Sequence, residues 1–246
     1  MFPRLFSIGP VTVYSYGAMV FLAIIAAWGI LKKETRNVIP PSKLEDTVFY
    51  SVLAGFLGAR IFYFLFWDFK GLTSNPLNFF YIWQGGLAIA GGIFGGGASL
   101  YFYSRKLKIK YLTLLDYFAA PLALGQAIGR IGCLLAGCCY GRPSGGLPGI
   151  CFHESHSLAP LGVKLFPTQI MESAADFVLF LILIKMKKEK AGKTAAVYIA
   201  GYAAIRFFME FFRGDTVAGL DGLTAMQIIA IICVFFVIIL KYARKI

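Results

Sequence analysis

At 246 residues the chain is 59% hydrophobic and 15% charged, with a mean hydropathy of +0.73. Both fractions lie well away from those of soluble domains, which excludes an ordinary soluble fold. The formal charge is +12, but no nucleic-acid-binding signature accompanies it, and the Lys and Arg residues sit in short clusters beside apolar runs. Nucleic acid is thereby excluded as a partner, and membrane lipid, anionic lipid above all, is implied.

Met1 to Pro10 lacks the basic flank and small-residue cleavage site of a removable signal, so the first apolar run reads as a retained helix. Seven runs have the roughly 17–25 residues that a bilayer of about 30 Å requires. They lie near Val11 to Leu31, Asp46 to Trp67, Gly85 to Tyr103, Leu112 to Ala136, Pro167 to Ile184, Ala195 to Phe212 and Leu223 to Leu240. The expected fold is an all-α integral membrane protein, one polytopic domain over residues 1–246 with a polar loop at about 140–166. Basic clusters follow the first, third, fifth and seventh runs, at Lys32, Lys33 and Arg36, at Arg105 to Lys110, at Lys185 to Lys193, and at Lys241 to Lys245. Placing all four in the cytoplasm puts the amino terminus and the 140–166 loop outside and the carboxyl terminus inside.

Arg60, Arg130 and Arg206 fall within the second, fourth and sixth runs, each roughly two-thirds of the way outward. An ionisable side chain there costs on the order of 3 kcal/mol or more unless paired or wetted. Asp116, Glu172, Asp176 and Glu210 are the available partners, and Arg206, Glu210 and Arg213 are spaced to share one helix face, which fits an internal salt bridge steadying a guanidinium fork. Three arginines with too few carboxylates at their depth point further, to a phosphate-bearing ligand bound by guanidinium, in a membrane most simply a phospholipid. Glycines crowd the third run at Gly85-Gly86, Gly91-Gly92 and Gly95 to Gly97. The later ones suit close helix packing, and the earlier ones suit either packing or backbone exposed to a ligand.

Of five cysteines, Cys133, Cys138, Cys139 and Cys151 cluster in sequence, and Cys233 reads as packing. Cys138, Cys139, Cys151, His153 and His156 match no standard zinc spacing, so no metal is expected. An oxidising exterior favours a disulfide between Cys151 and either Cys138 or Cys139. A covalent lipid intermediate on Cys133 or Cys138 would need a lowered thiol pKa beside Arg130.

The residues gathered so far carry a resemblance that covers nearly the whole chain. Tyr16-Gly17, Gly58-Ala59-Arg60, Gly85-Gly86 with Gly91-Gly92, Gly129-Arg130-Ile131-Gly132 onward to Gly141, Pro167-Thr168-Gln169 with Glu172, and Arg206 to Arg213 resemble the prolipoprotein diacylglyceryl transferase family in order and spacing. The resemblance implies a bacterial inner-membrane enzyme that moves diacylglyceryl from phosphatidylglycerol to the lipobox cysteine of a prolipoprotein signal peptide, releasing glycerol phosphate, with no cofactor. It implies that Arg130, Arg206, Glu210 and Tyr16 carry the chemistry. Arg60, Gly91, Gly92, Cys133, Cys138, Gly141, Gln169, Glu172 and Arg213 would line the substrate site. The chain departs from the family pattern where Ala90 stands in place of a histidine, Cys133 in place of an asparagine and Cys138 in place of an acidic residue. His153 or His156, tuned by Glu154, could supply the missing base. Two other readings are a related transferase with the same donor lipid and a different acceptor, and a lipid-binding protein without catalysis. A redox role for the cysteines is a third.

Overall fold

The computed structural model describes residues 3–8, 11–81, 85–216, 219 and 222–244. Seven helices of 18 residues or more are found among them: α1 (Ser15–Thr35), α2 (Pro41–Phe66), α4 (Ile89–Lys106), α5 (Tyr111–Ala136), α6 (Thr168–Lys185), α7 (Lys193–Glu210) and α8 (Ala225–Arg244). Each coincides with one apolar run to within a few residues. Four of them, α1, α2, α5 and α8, are long and apolar enough to cross a membrane, and their many exposed Phe, Leu and Ile side chains are what lipid, and not water, would cover. The molecule is a mostly helical membrane protein. Two short antiparallel strand pairs accompany the helices, β1 (Arg4–Ile8) with β2 (Val11–Tyr14) ahead of α1, and β3 (Ile150–Cys151) with β4 (Lys164–Leu165) between α5 and α6. The first apolar run therefore begins as a strand and turns helical at Ser15, whose amide and hydroxyl both donate to the Pro3 carbonyl.

The chain divides into two compact units, Lys32–Leu115, and Met1–Leu31 with Asp116–Ile246. In Lys32–Leu115 the core is the α2–α4 pair, and glycine makes it possible. A Cβ at Gly91 would run into the Gly58 carbonyl, one at Gly58 into the Gly91 carbonyl, and one at Gly95 into the Ala54 carbonyl, so the two backbones touch directly. Phe62 stacks on Phe94 and Tyr50 on Tyr103 on either side of this contact. Gly91 and Gly92 thus lie in the first turns of an unbroken α4, and Gly91 faces α2 instead of baring backbone to a ligand. Between the two helices come the short helix α3 (Phe69–Ser74), capped by the Asp68 carboxylate, and a 3-10 turn at Pro76–Phe80.

The other unit is centred on Ala120, Ala123, Leu179, Phe180 and Leu183, against which Leu124, Val197, Tyr198, Tyr202 and Ile205 pack. α7 lies between α6 and α8. Its start is fixed electrostatically, because the fully buried Asp116 of α5 accepts from the Gly192 amide at 2.6 Å and the Ala195 amide at 2.8 Å. A carboxylate on the otherwise unbonded amides of a helix amino terminus satisfies both partners. The loop 137–167 has a small core of its own in Phe152, Ala159 and Leu165.

Replacing Gly91 with Leu sets a side chain against backbone that cannot yield. We expect Gly91→Leu to cost at least about 3 kcal/mol, the upper range of overpacking, as a lowered unfolding midpoint in detergent. Gly29→Leu, where an added Cβ meets nothing within 4 Å, should stay within about 0.5 kcal/mol of the parent.

Candidate functional site

Three helices of the Asp116–Ile246 segment deliver charge to one place. Arg130 lies in the second-last turn of α5, Glu172 in the second turn of α6, and Arg206 and Glu210 one turn apart at the end of α7. Glu172 Oε1 is 2.6 Å from Arg130 Nη2, Glu172 Oε2 is 3.9 Å from Arg206 Nη1, and Arg206 Nη2 is 2.9 Å from Glu210 Oε2. Two guanidiniums and two carboxylates form a chain of alternating charge across the three helices. The Glu172 and Glu210 side chains are 2% and 1% exposed, while those of Arg130 and Arg206 retain 16% and 12%. The carboxylates are sealed in and the arginines face outward from them.

The sequence argument that arginines outnumber carboxylates at this depth therefore needs correction. Arg130 and Arg206 are each paired with carboxylate, and what remains for a ligand is hydrogen-bonding capacity, not excess charge. A guanidinium carries five N–H donors and the ion pairs engage few of them; Arg206 Nη1, itself buried beside Glu172, has no hydrogen-bond partner among the described residues. Such donors suit a phosphate. One turn along α6 from Glu172, Asp176 is fully buried, and neither of its oxygens has a hydrogen-bond partner among the described residues.

Arg213 departs from its expected place. α7 ends at Glu210, so helical spacing no longer carries Arg213 to that carboxylate; its Nε and Nη2 donate to Asp215 instead, at 2.9 and 2.6 Å. Its backbone bridges to Gly141, where a Cβ would run into the Phe166 carbonyl, so only glycine lets the 140–142 segment pass between Phe166 and 212–214. Arg60, grouped in sequence with the phosphate-binding arginines, lies in the Lys32–Leu115 unit with its donors committed. They go to the carbonyls of Asn78, Phe79, Tyr81, Gly85 and Gly86, and the side chain also lies over the Phe64 ring.

The cysteines converge by a helix-ending motif. Gly137, at φ 75°, ends α5; its amide donates to the Leu134 carbonyl and the Cys138 amide to the Cys133 carbonyl. That double closure is a Schellman turn, which folds the second residue past the helix back over the helix's last turn, here Cys138 over Cys133. Cys139 follows at φ 56°. The result is that the sulfurs of Cys133, Cys138 and Cys139 all lie within 4.8 Å of one another. The first turn of α6 locks the arrangement, with Thr168 Oγ1 donating to the Cys139 carbonyl at 2.9 Å and Gln169 Nε2 to the Cys138 carbonyl at 2.8 Å. The Cys138 thiol donates to the Cys133 carbonyl at 3.7 Å. Tyr16, in the first turn of α1, lies against Gly132 of α5, one residue from Cys133.

Cys151 is a free thiol, so the expected disulfide does not form; Cys138 and Cys139 turn toward Cys133 while Cys151 pairs its backbone with Lys164 on the loop hairpin. His153 and His156 are exposed on that loop, His156 beside Glu154 at 3.4 Å. Thr168, quoted in sequence only as part of the Pro167-Thr168-Gln169 motif, gains its hold on Cys139 from the fold, and so does the meeting of three thiols. The glycine-ended helix followed by two cysteines was the signal for the latter. A largely apolar groove of about 580 Å³ runs between α5 and α6, lined by Leu124, Ala127, Ile128, Ile131 and Leu134 on one side and Gln169, Ile170, Ser173, Ala174 and Phe177 on the other.

The family model described as "Prolipoprotein diacylglyceryl transferase" matches residues 3–243. Phosphatidylglycerol–prolipoprotein diacylglyceryl transferase 2 of Clostridium perfringens is 39% identical over 95% of this chain and 91% of its own length. The phosphatidylglycerol–prolipoprotein diacylglyceryl transferase of Clostridium tetani is 36% identical over 94% and 93%, and that of Methylococcus capsulatus 30% identical over 99% and 96%.

Because Glu210 is the near partner of Arg206, Glu210→Gln leaves a buried guanidinium facing only the more distant Glu172. We expect a loss of about 3 kcal/mol in unfolding free energy. The double variant Arg206→Met, Glu210→Leu, which removes both charges, should recover most of it by the same measurement.

Proposed function

The chain belongs to the prolipoprotein diacylglyceryl transferase family, and from that premise we propose that it transfers diacylglyceryl from phosphatidylglycerol to the cysteine thiol of a prolipoprotein. The sulfur attacks the diacylglyceryl carbon that bears the phosphate ester. A C–S bond forms, the C–O bond to phosphate breaks, and glycerol phosphate departs with the electron pair while the thiol proton is lost. The observation that carries this reading is the paired Arg130 and Arg206, held by Glu172 and Glu210 with donors to spare. Negative charge gathers on the phosphate as it leaves, and donors fixed in advance in a water-poor setting stabilise it at no cost of reorganisation. Glu172 and Glu210 aim the arginines, and Arg213 with Gly141 closes the loop beside them. Tyr16 lines the thiol side, and Cys133, Cys138 and Gln169 shape the headgroup end. Gly91 and Gly92 serve through the α2–α4 contact, and Arg60 holds the 78–86 segment that follows α3.

The acyl chains need an apolar seat next to the charged group. The α5–α6 groove offers one, since Ile131 follows Arg130 directly and Gln169 borders both places. All seven long helices cross the bilayer in this reading, with the basic clusters after α1, α4, α6 and α8 cytoplasmic and the 140–166 loop outside a bacterial inner membrane. The acceptor then enters as a signal peptide lying in the membrane, its lipobox cysteine at the depth of Arg130. A second reading, the same donor with a different acceptor, draws support from Ala90, which has no titratable group to offer where the family carries a histidine.

In detergent with phosphatidylglycerol and a lipobox peptide, the protein should release glycerol phosphate and add diacylglyceryl to the peptide's mass. Arg130→Ala and Arg206→Ala should each slow this by about 10²–10³-fold, with Arg105→Ala, at the exposed end of α4, unchanged. Glycerol phosphate release with an unmodified peptide supports the other acceptor; lipid binding without release overturns both transferase readings. Ala174→Trp, which fills the groove, should slow transfer from long-chain phosphatidylglycerol by at least about tenfold, a loss of some 1.4 kcal/mol of transition-state binding, and spare a short-chain donor.

A further inference from the structure

The three thiols are the feature of this site that the arginines do not explain. Cys133, Cys138 and Cys139 present sulfur atoms within 4.8 Å of one another, held by a Schellman turn, a left-handed residue and two hydrogen bonds from α6. A tetrahedral thiophilic cation such as zinc binds thiolate at about 2.3 Å, which sets its sulfurs about 3.8 Å apart. The group, with its sulfurs within 4.8 Å, therefore needs to contract by no more than about 1 Å to seat one. A disulfide would use two of these sulfurs and leave the third idle, whereas a cation engages all three. Among the described residues no His, Asp, Glu or fourth Cys joins the cluster. A three-sulfur site is thus left with one coordination position open, the pattern of a site that takes an exogenous ligand and not of one that only staples a fold.

We infer that Cys133, Cys138 and Cys139 form a zinc-class metal site whose open position binds the acceptor thiol. The inference rests on the transfer reaction proposed above and supplies what that reaction lacks. The acceptor sulfur must be ionised before it attacks, yet the chain's two histidines, His153 and His156, are both exposed on the 150–165 loop. A thiol that coordinates a divalent cation is deprotonated outright. Its proton passes to water, and the metal-held sulfur attacks the diacylglyceryl carbon. The C–S bond forms, the C–O bond breaks, and glycerol phosphate leaves with the electron pair toward Arg130 and Arg206. The product thioether is a neutral, weak ligand and dissociates, so the metal keeps its charge and no electrons change hands. A covalent intermediate on one of the three cysteines does not serve as well. It would itself be a thioether, whose carbon–sulfur bond has no good leaving group for the second transfer.

The test uses the full chain in detergent, reduced and then freed of metal, titrated with Co²⁺ and, in competition, with Zn²⁺. We expect one cobalt per chain with an intense sulfur-to-cobalt charge-transfer band. Cys133→Ser, Cys138→Ser and Cys139→Ser should each weaken binding by at least about tenfold, since even residues that merely support a ligand carry that much, and Cys233→Ser should not. A lipobox peptide should shift the band, and the same peptide with serine for its cysteine should not; neither readout needs turnover, so they stand apart from the success of the transfer assay. No charge-transfer band in the parent protein overturns the inference, as does cobalt binding that survives Cys133→Ser. So does a disulfide among the three sulfurs, found by alkylation and mass analysis of protein isolated without reductant. Monodispersity and an unchanged unfolding midpoint certify that each Ser variant is folded. Full transfer by the thoroughly chelated protein would also overturn the role in thiol activation.

Discussion

A carboxylate bridging two arginines inside an apolar helical assembly is the interaction on which the site depends. Glu172 alone would be costly to bury, and so would Arg130 or Arg206; placed on three different helices they make one another tolerable. The consequence is positional. Moving α5, α6 or α7 by one residue would separate charges that have no water to turn to, so the ion pairs fix the register of all three helices. The contacts that arrange the neighbouring loop begin from the same α6 turn, where Thr168 and Gln169 reach the carbonyls of Cys139 and Cys138.

Arg60 shows the other way to bury a guanidinium, and the contrast separates structure from function. It is 3% exposed and faces carbonyl oxygens. Carbonyls are neutral, so several are needed, and together they draw the 78–86 segment around the arginine until its donors are used. Arg130 and Arg206 are paired with carboxylates instead, so fewer contacts suffice and donors are left over. Which arginine keeps donors free is thus decided by the kind of partner, a distinction that depth in the membrane does not reveal.

Much of this was legible in the sequence because lipid imposes simple rules. All seven long helices lie within a few residues of the apolar runs, and the Arg206–Glu210 pair follows from helical spacing alone. What failed was where local structure departs from the helix. Val11 to Tyr14 is apolar enough to extend the first run, but pairing with Arg4 to Ile8 makes it a strand. Arg213 was assigned to Glu210 on the assumption that α7 continues, and Asp215 takes it because the helix stops. The disulfide to Cys151 was argued from compartment and proximity in sequence, neither of which anticipates that a glycine-ended helix folds Cys138 back over Cys133. The count of carboxylates also misled, since Glu172 serves two arginines at once and Asp116, counted with the others, is used to cap α7.

The helix ends supply a last constraint that favours this arrangement over its mirror. Arg130 and Arg206 both lie near the carboxyl-terminal ends of their helices, where the unpaired carbonyls of the last turn carry partial negative charge, and Glu172 lies near the amino-terminal end of α6, where the amides are positive. Each charge sits at the helix end that stabilises it, apart from Glu210, which Arg206 holds at 2.9 Å. Reversing the charges would set the dipoles of α5 and α6 against the side chains at positions 130 and 172. The place where α5 and α7 end and α6 begins is therefore where paired guanidiniums are least costly to bury. In the proposed transfer, an anionic headgroup arriving there would meet the spare donors of both arginines and the positive end of α6 together.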